Sequence, residues 1–410
     1  MHEHEAITAV LGIQGFRVER FELVGKEKVH LHLERTKRAY RCARCGQSSF
    51  VPHDEYEVTV QDLPMSGRRV YLHLRKGRVR CCRETAEVEQ LDWVEKNGQQ
   101  TLRLRWAIHE ECRDTTVQAV AERHALNWET VKTLDKEILE AKVAARSLAG
   151  VRRISIDEIA RARRHKYLTV VTDLDQRKVI WVGKGRKTQN LKGFLRKLPR
   201  GDRRSLRVVA MDMWRAYYKA VTEQLPKAEG VFSKFHVIGH LQKALDGVRR
   251  QVARSLDKDE RKQLFRSRWV LLKNPENLKP EQQSTLKELL ADNEVLQKAY
   301  LLKEDFREFY RTDFRWHRLR GMCNRILELA GNRLDGWIRR ARESGLPTFE
   351  AFCKLLEKHR LGVLRYFVHQ VSTGLSESMN AQINALKTRA HGYRDLDYFI
   401  YKIYQRCGRI

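Results

Sequence analysis

Alternating apolar and polar positions dominate the first hundred residues of the chain. Three segments, Lys28–Glu34, Glu55–Val60 and Arg69–Leu74, keep the two-residue period of a half-buried strand. From residue 101 to residue 145 the period is helical, and two short helices are predicted to begin near Thr115 and Asn127, whose side chains are good helix caps. The pattern predicts a β domain followed by a helical pair.

The helical pair has the spacing of a helix-turn-helix, because only three or four residues separate its helices. Trp128, Val131 and Leu134 are expected on the inner face of the second helix. Its outer face could enter the major groove of DNA, although helical hairpins of this length also occur as plain structural elements. The outward residues expected to contact DNA are Thr130, Lys132, Thr133 and Lys136.

Beyond Val151 short apolar strands alternate with amphipathic helices. The order is three strands, a helix, a strand, a helix and a strand, which is the order of the ribonuclease H-like fold. Residues 238–372 then read as helices almost throughout and are rich in Lys and Arg. We therefore expect an α/β core followed by a long helical region.

The charge balance of the chain indicates a negatively charged binding partner. Lys and Arg number 81 against 52 Asp and Glu, which gives a formal net charge of +29. Such a surplus favours a polyanion, most often nucleic acid, because neutralised phosphates release counterions. A membrane surface could also attract the chain, but the sequence has neither an 18-residue apolar run nor a signal peptide. We expect a cytoplasmic, nucleoid-associated protein without a membrane partner.

The cysteines of the first domain suggest a metal site. Cys42 and Cys45 form a CxxC in RCARCGQ, where a tight turn would place two thiolates on one side of a hairpin, as a zinc ribbon requires. Cys81 and Cys82 would complete the set, although neighbouring residues of a strand point to opposite sides. The alternatives for the fourth ligand are His53, His73 and Glu84. One Zn²⁺ is expected, against the alternative of reduced cysteines in a ribbon that has lost its metal.

Three acidic residues are candidates for a catalytic site. Asp157 and Asp212 follow the apolar runs ISI and VVAM, and the carboxyl ends of strands are where sites gather in α/β sheets. Glu377 is predicted on a polar helix face opposite Met379, Ile383, Leu386 and Ala390. That polar face also carries Asn380, Asn384 and Lys387. Asparagine is a poor helix former, so a plain solvated face would more often carry Glu, Gln or Lys.

Three carboxylates in a basic protein suit phosphoryl transfer on DNA with two Mg²⁺ or Mn²⁺ ions per site. Asp157 would bridge both ions, and Asp212 and Glu377 would hold one each.

The chain resembles bacterial insertion-sequence transposases of the DDE type, in the ISL3 family. The matching segments, in chain order, are CARCG, TVQAVAERHALNWETVK, SIDEIARARRHKYLTVVTDL, VAMDMWRAYYKAV, FSKFHVIGHLQKALDGVRR and TGLSESMNAQINALKTRAHGYRD. The resemblance implies that Asp157, Asp212 and Glu377 are the metal-binding triad. Ser233 stands where the family often has Asp, so no fourth carboxylate is expected there. His236 is either a packed histidine or a catalytic or DNA-contacting one.

The expected fold class is multidomain α+β. The expected domains are a zinc-ribbon-like β domain (1–98), a helix-turn-helix region (99–148), the first part of a ribonuclease H-like core (149–240), an all-helical insertion (241–372) and C-terminal core helices carrying the Glu (373–410). Further expected DNA contacts are Arg161, Arg163, Arg164, Asn380, Asn384 and Lys387.

The leading functional hypothesis is a transposase that acts on double-stranded DNA, both element ends and target, as a homodimer when DNA is bound. The alternatives are a metal-dependent nuclease or resolvase, which needs only the same core, and a DNA-binding regulator with a silent core. The long helical insertion favours the first hypothesis, since a simple nuclease has less need of it.

Overall fold

The computed structural model describes residues 3–80, 85–162, 166–371 and 374–410. The chain forms two compact units. The first unit comprises Met1–Arg146 together with Lys387–Arg406 and Ile410, and the second comprises Ser147–Leu386 with Cys407–Arg409.

The first unit begins with a β sheet whose strands run in the order β1-β2-β6-β5. Apolar residues such as Leu31 and Leu72 alternate along these strands and are buried on one face of the sheet. The three predicted strands are confirmed, and β5 and β6 extend further than predicted. The elements of this part are α1 (Glu3–Leu11), β1 (Phe16–Val24), β2 (Lys28–Arg35), β3 (Tyr40–Arg41), β4 (Ser48–Ser49), β5 (Asp54–Met65), β6 (Arg68–Val79) and β7 (Glu87–Val88).

Helices complete the first unit: α2 (Leu102–Asp114), α3 (Val117–His124), α4 (Trp128–Ala144) and α18 (Leu396–Cys407). The helical pair is confirmed as α3 and α4. Asn127 caps α4 as predicted, accepting a 2.8 Å hydrogen bond from the Glu129 amide. The cap of α3 was misplaced by one residue, because Thr116 rather than Thr115 accepts from the Ala119 amide.

Residues from both ends of the chain build the core of this helical part. Asp135 on α4 is fully buried and accepts a 2.6 Å hydrogen bond from the Tyr398 hydroxyl of α18. The buried Lys402 ammonium donates to the Asp135 carboxylate at 3.2 Å and to the Cys112 carbonyl at 2.7 Å. These contacts attach α18 to the helix-turn-helix, whereas the sequence suggested that residues 373–410 belong with the catalytic core.

The second unit is built on a sheet with strand order β10-β9-β8-β11-β12. Strands β8, β9 and β10 are antiparallel, whereas β11 runs parallel to both β8 and β12. The predicted order of strands and helices is confirmed, with one additional short helix, α6. The elements are β8 (Arg153–Ala162), β9 (Lys166–Asp173), β10 (Lys178–Lys184), α5 (Thr188–Lys197), α6 (Arg200–Ser205), β11 (Val208–Met211), α7 (Arg215–Gln224) and β12 (Glu229–Phe232).

A long run of helices follows β12, as the periodicity predicted. They are α8 (Lys234–Val252), α9 (Lys258–Arg266), α10 (Arg268–Leu272), a 3-10 turn (Pro275–Asn277), α11 (Pro280–Ala291), α12 (Glu294–Arg311), α13 (Arg315–Leu319), α14 (Cys323–Glu343), α15 (Pro347–Lys358), α16 (Arg360–His369) and α17 (Gly374–Arg389). Phe232 of β12 and Gly362 of α16 meet so closely that a Cβ at Gly362 would lie 2.4 Å from the ring. Across the described ranges, no helix has the length and apolarity to cross a membrane.

Candidate active site

Asp157 lies within β8 rather than at its end. The strand continues to Ala162, with Asp157 opposite Val170 of the antiparallel neighbour β9. The prediction of a strand end is therefore wrong, although the recorded parallel pairing of β8 with β11 does stop one residue earlier, at Ile156. The Asp157 side chain is about one-fifth exposed, at 20%.

Asp212 stands beside Asp157 in the register of the sheet. Ile156 pairs with Met211 across the parallel strands, so the next residue on each strand is one of the two aspartates. Both acids therefore lie one residue beyond the last pair of the parallel strands β8 and β11. One Asp212 oxygen accepts a 2.6 Å hydrogen bond from the Met213 amide, which begins the turn into α7.

Glu377 comes to the same region on α17. The apolar face of this helix is buried through Met379, Ile383 and Leu386, whereas Glu377 in its first turn is exposed, as the periodicity predicted. Ala390 lies beyond the last residue of the helix. Glu377 and Asp157 both line a cavity of about 430 Å³.

Two hydrogen bonds fix α17 against β8 beside these acids. The Asn380 amide donates to Asp157 Oδ2 at 2.7 Å. The buried hydroxyl of Ser376, next to Glu377, donates to Ser155 Oγ at 2.9 Å. Two residues one turn apart on the helix are thus bonded to two alternate residues of the strand, which sets both the position and the rotation of α17.

Two histidines of α8 and the histidine just before α16 lie near the two aspartates. His236 Nε2 is 3.9 Å from Asp157 Oδ1. Burial, with the nearby charge of Lys243, lowers the pKa of His240 against the opposing effect of Asp212. Burial likewise lowers the pKa of His359, which also lies within range of the Asp212 charge. His236 and His240 are four residues apart and share one face of α8, a spacing from which the sequence could have indicated His240.

Two buried polar atoms of the cavity wall lack a hydrogen-bond partner in the part of the chain that the structure describes. They are Ser233 Oγ and His236 Nδ1. Such atoms usually have partners in a folded protein, so this wall is suited to contact a bound polar group.

The acids suit Mg²⁺ by their oxygen donors. Within the described ranges, no group of three or more His, Cys, Asp or Glu side chains is placed to hold a metal ion. Mg²⁺ retains several waters and binds through one or two carboxylates plus phosphates of the substrate, rather than in an all-protein cage. Asp157 and Glu377 facing a shared cavity, with Asp212 in register beside Asp157, fit that kind of site.

The expected DNA contacts of the second unit occupy different environments. Asn384 lines the acid-bearing cavity, and Arg161 is half-buried on β8. Arg163 and Arg164 lie outside the described residues. Lys387 is half-buried in the last turn of α17, where the chain passes into the first unit.

Helix α4 differs from expectation on both faces. Val131 and Leu134 are buried as predicted, but Trp128 is 49% exposed, because it is the first residue of the helix. Lys132 and Lys136 are half-buried and bind Asp395 of the loop before α18, with Nζ–Oδ2 distances of 3.1 and 2.9 Å. Thr130 and Thr133 line a separate pocket of the first unit.

The CxxC lies in the predicted hairpin. β3 and β4 pair, and Gly46 turns the chain with a φ of +73° between Cys45 and the second strand. Cys42 is buried and Cys45 is exposed. Cys81, Cys82 and Glu84 lie outside the described residues. His73, one alternative ligand, stacks instead on the rings of His30 and His32.

Family models match three parts of the chain. A family model described as a transposase matches residues 154–403. A model of the helix-turn-helix domain of transposase family ISL3 matches residues 89–139, and a transposase zinc-finger model matches residues 38–83.

Curated relatives extend the match over nearly the whole chain. The transposase for insertion sequence element IS1001 of Bordetella parapertussis is 32% identical over 410 residues, covering 98% of each chain. The transposase for element IS1557 of Mycobacterium tuberculosis is 27% identical over 379 residues, covering 86% of this chain and 82% of its own. The chain belongs to the ISL3 family of insertion-sequence transposases.

Proposed function

We propose that this chain cleaves and rejoins DNA at the ends of its insertion sequence, with Asp157, Asp212 and Glu377 as a metal-binding DDE triad. The observation that carries the proposal is the cavity that Asp157 and Glu377 share. Asp212 supports it by its place in the parallel register next to Asp157.

The three carboxylates have distinct roles in this proposal. Asp157 would serve both metal ions, and Asp212 and Glu377 would hold one ion each. Two bound Mg²⁺ or Mn²⁺ ions would activate the attacking hydroxyl and stabilise the leaving oxygen. Asn380 holds the Asp157 carboxylate in one orientation through its hydrogen bond. Water as nucleophile nicks the strand, and a freed 3′-hydroxyl as nucleophile joins that strand to target DNA.

The remaining modules bring the DNA to this site. In the proposal, residues 149–240 and helix α17 form a ribonuclease H-like core, and residues 241–372 are a helical insertion. The ribbon holds one Zn²⁺ through Cys42, Cys45 and the Cys81–Cys82 pair. Two copies of the chain pair the two element ends, because joining both ends needs two sites, so the DNA-bound form is a homodimer.

A strand-transfer assay tests the proposal. The full chain is incubated with Mg²⁺ or Mn²⁺, a duplex carrying the terminal repeats of its own element, and a supercoiled target plasmid. Joined products that Asp157→Asn, Asp212→Asn and Glu377→Gln abolish are the expected result. Cleavage without joining would identify a nuclease instead, and binding without cleavage would identify a regulator.

Glu281→Gln is the matched control. Glu281 is an exposed acid in the first turn of α11, as Glu377 is in the first turn of α17. This control should leave joining unchanged.

A further inference from the structure

The loop between α17 and α18 forms a cleft against the helix-turn-helix. Helix α17 ends where His391 and Gly392 take positive φ values of +49° and +99°, and the Gly392 amide bonds back to the Lys387 carbonyl at 2.9 Å. Glycine favours this left-handed turn, which redirects the chain toward α18. The resulting α17–α18 cleft has a volume of about 810 Å³ and lies wholly within the first unit. Its walls include Gln118, Trp128, Lys132, Arg389, Arg394 and Asp395.

The cleft is cationic. Arg389 is exposed and donates to the backbone carbonyls of Arg113 and Asp114, at 3.2 and 2.9 Å, which leaves its charge without a carboxylate partner. Arg394 is also exposed. Among the described side chains, neither arginine has a carboxylate within ion-pair distance. Two such guanidinium groups that line the same cleft are suited to phosphate oxygens.

Asp395 places its carboxylate at the edge of this cleft, where it pairs with two lysines of α4. Its Oδ2 atom lies between the ammonium groups of Lys132 and Lys136, and its Oδ1 atom accepts from the Tyr398 amide at 3.0 Å as α18 begins. A phosphate oxygen would make the same two contacts with the lysines. The carboxylate of Asp395 therefore neutralises two cations of helix α4.

An exposed aromatic ring completes the wall on the α4 side. Trp128 is 49% exposed, and the Lys132 ammonium lies 6.0 Å from its ring centroid. An accessible indole beside a cation offers an apolar surface on which a sugar of the DNA backbone can pack.

We propose that the α17–α18 cleft binds the sugar–phosphate backbone of DNA through Arg389 and Arg394, with Asp395 competing for Lys132 and Lys136. The proposal rests on the DNA-binding role of the adjoining helix-turn-helix, not on the DDE chemistry. It makes the segment after the triad helix a part of the DNA-binding surface. Because phosphate contacts carry no sequence information, the cleft adds affinity for any duplex.

Equilibrium binding of the full chain to two labelled duplexes tests this cleft. One duplex carries the terminal repeat of the element, and the other has the same composition in scrambled order. Arg394→Gln should weaken binding to both duplexes about 3- to 10-fold and make the slope of log affinity against log salt shallower by about one. Asp395→Asn keeps the acceptor that caps α18 but removes the charge, so it should tighten binding about 3-fold and steepen the slope.

Lys26→Gln, in the exposed turn between β1 and β2, is the control for loss of one surface cation. Melting curves verify that each variant folds. The inference is overturned if Arg394→Gln binds as the control does, if its loss is confined to the terminal repeat, or if Asp395→Asn fails to bind more tightly. Failure of the wild-type chain to bind either duplex would instead refute the proposed function.

Discussion

Asn380 donates a hydrogen bond of 2.7 Å to Asp157, which lies 223 positions earlier in the chain. This bond joins the helix that carries Glu377 to the strand that carries Asp157. It gives Asn380 a positioning role, because it fixes the orientation of a proposed metal ligand without itself being an acid.

Replacing Asn380 with Ala should therefore lower the rate of DNA cleavage by about 10- to 100-fold, the worth of a hydrogen bond to a charged group. Binding of terminal-repeat DNA should remain within about 2-fold, because the helix-turn-helix is untouched. A purely structural role predicts a parallel loss of thermal stability, so melting curves are measured with the kinetics. Asn332→Ala, an exposed asparagine of helix α14 that does not line the acid-bearing cavity, is the matched control and should leave the cleavage rate unchanged. An unchanged cleavage rate in Asn380→Ala would contradict the positioning role.

The buried cluster around Asp135 should make the first unit sensitive to acid. Burial alone would raise the pKa of Asp135, but the hydrogen bond from His109, the charge of Lys402 and the hydrogen bond from Tyr398 bring it below its ordinary 3.8. A carboxyl with a lowered pKa in the folded state contributes stability above its unfolded pKa, and that stability is lost as pH falls through the folded value.

Asp135→Asn should consequently lower the free energy of unfolding by about 3–5 kcal/mol at pH 7, because it leaves Lys402 buried without its counter-ion. The difference from wild type should shrink as the pH is lowered below about 3.8. Urea unfolding followed by tryptophan fluorescence at a series of pH values measures it. Asp114→Asn, an exposed acid at the end of α2, should change little. A pH-independent difference for Asp135→Asn would contradict this account of the cluster.

The contact between α16 and β12 should tolerate no added methyl group. Gly362→Ala would place a Cβ 2.4 Å from the buried Phe232 ring. The overlap should cost about 1–3 kcal/mol of unfolding free energy. Gly193→Ala, in α5 with open space around its Cβ position, should be neutral or slightly stabilising, since alanine favours helix. Denaturant unfolding of the two variants compares them, and equal stabilities would disprove the close packing.

The zinc ribbon should hold about one Zn²⁺ per chain, through thiolates that a structural zinc site requires. Cys45→Ser should lower the zinc content of the purified protein well below that value. Cys323→Ser, which removes another exposed cysteine at the start of α14, should not. Elemental analysis measures the metal. Equal zinc in both variants, or none in the wild type, would argue for a ribbon without metal.

The sequence pattern predicted which face of a helix is buried, but it was less accurate at the ends of strands and helices. The amphipathic face of α17 was correct, because Met379, Ile383 and Leu386 are buried at helical spacing. The end of β8 was not, because Asp157 pairs with β9 even though the parallel pairing with β11 stops before it. The cap of α3 was predicted one residue too early, at Thr115 instead of Thr116, because either of two adjacent threonines could cap the helix.

The sequence pattern could not predict contacts between residues far apart in the chain. The docking of α18 depends on Lys402 and Tyr398 meeting Asp135 more than 260 positions away, at 267 and 263 residues. The same docking brings Asp395 onto Lys132 and Lys136, which periodicity alone placed in solvent. The relation of Asn380 to Asp157 also needed the structure. The family resemblance implied that both aspartates are triad members, but it did not indicate the amide that is bonded to one of them.

The central claim is that Asp157, Asp212 and Glu377 perform strand transfer, and the most direct test is the yield of joined products with each carboxylate replaced by its amide. The account predicts a loss of at least about 1,000-fold in joining for Asp157→Asn, Asp212→Asn and Glu377→Gln, with terminal-repeat binding retained, because removing a metal ligand removes transition-state stabilisation of several kcal/mol. Joining at the wild-type rate in any of the three variants would contradict it.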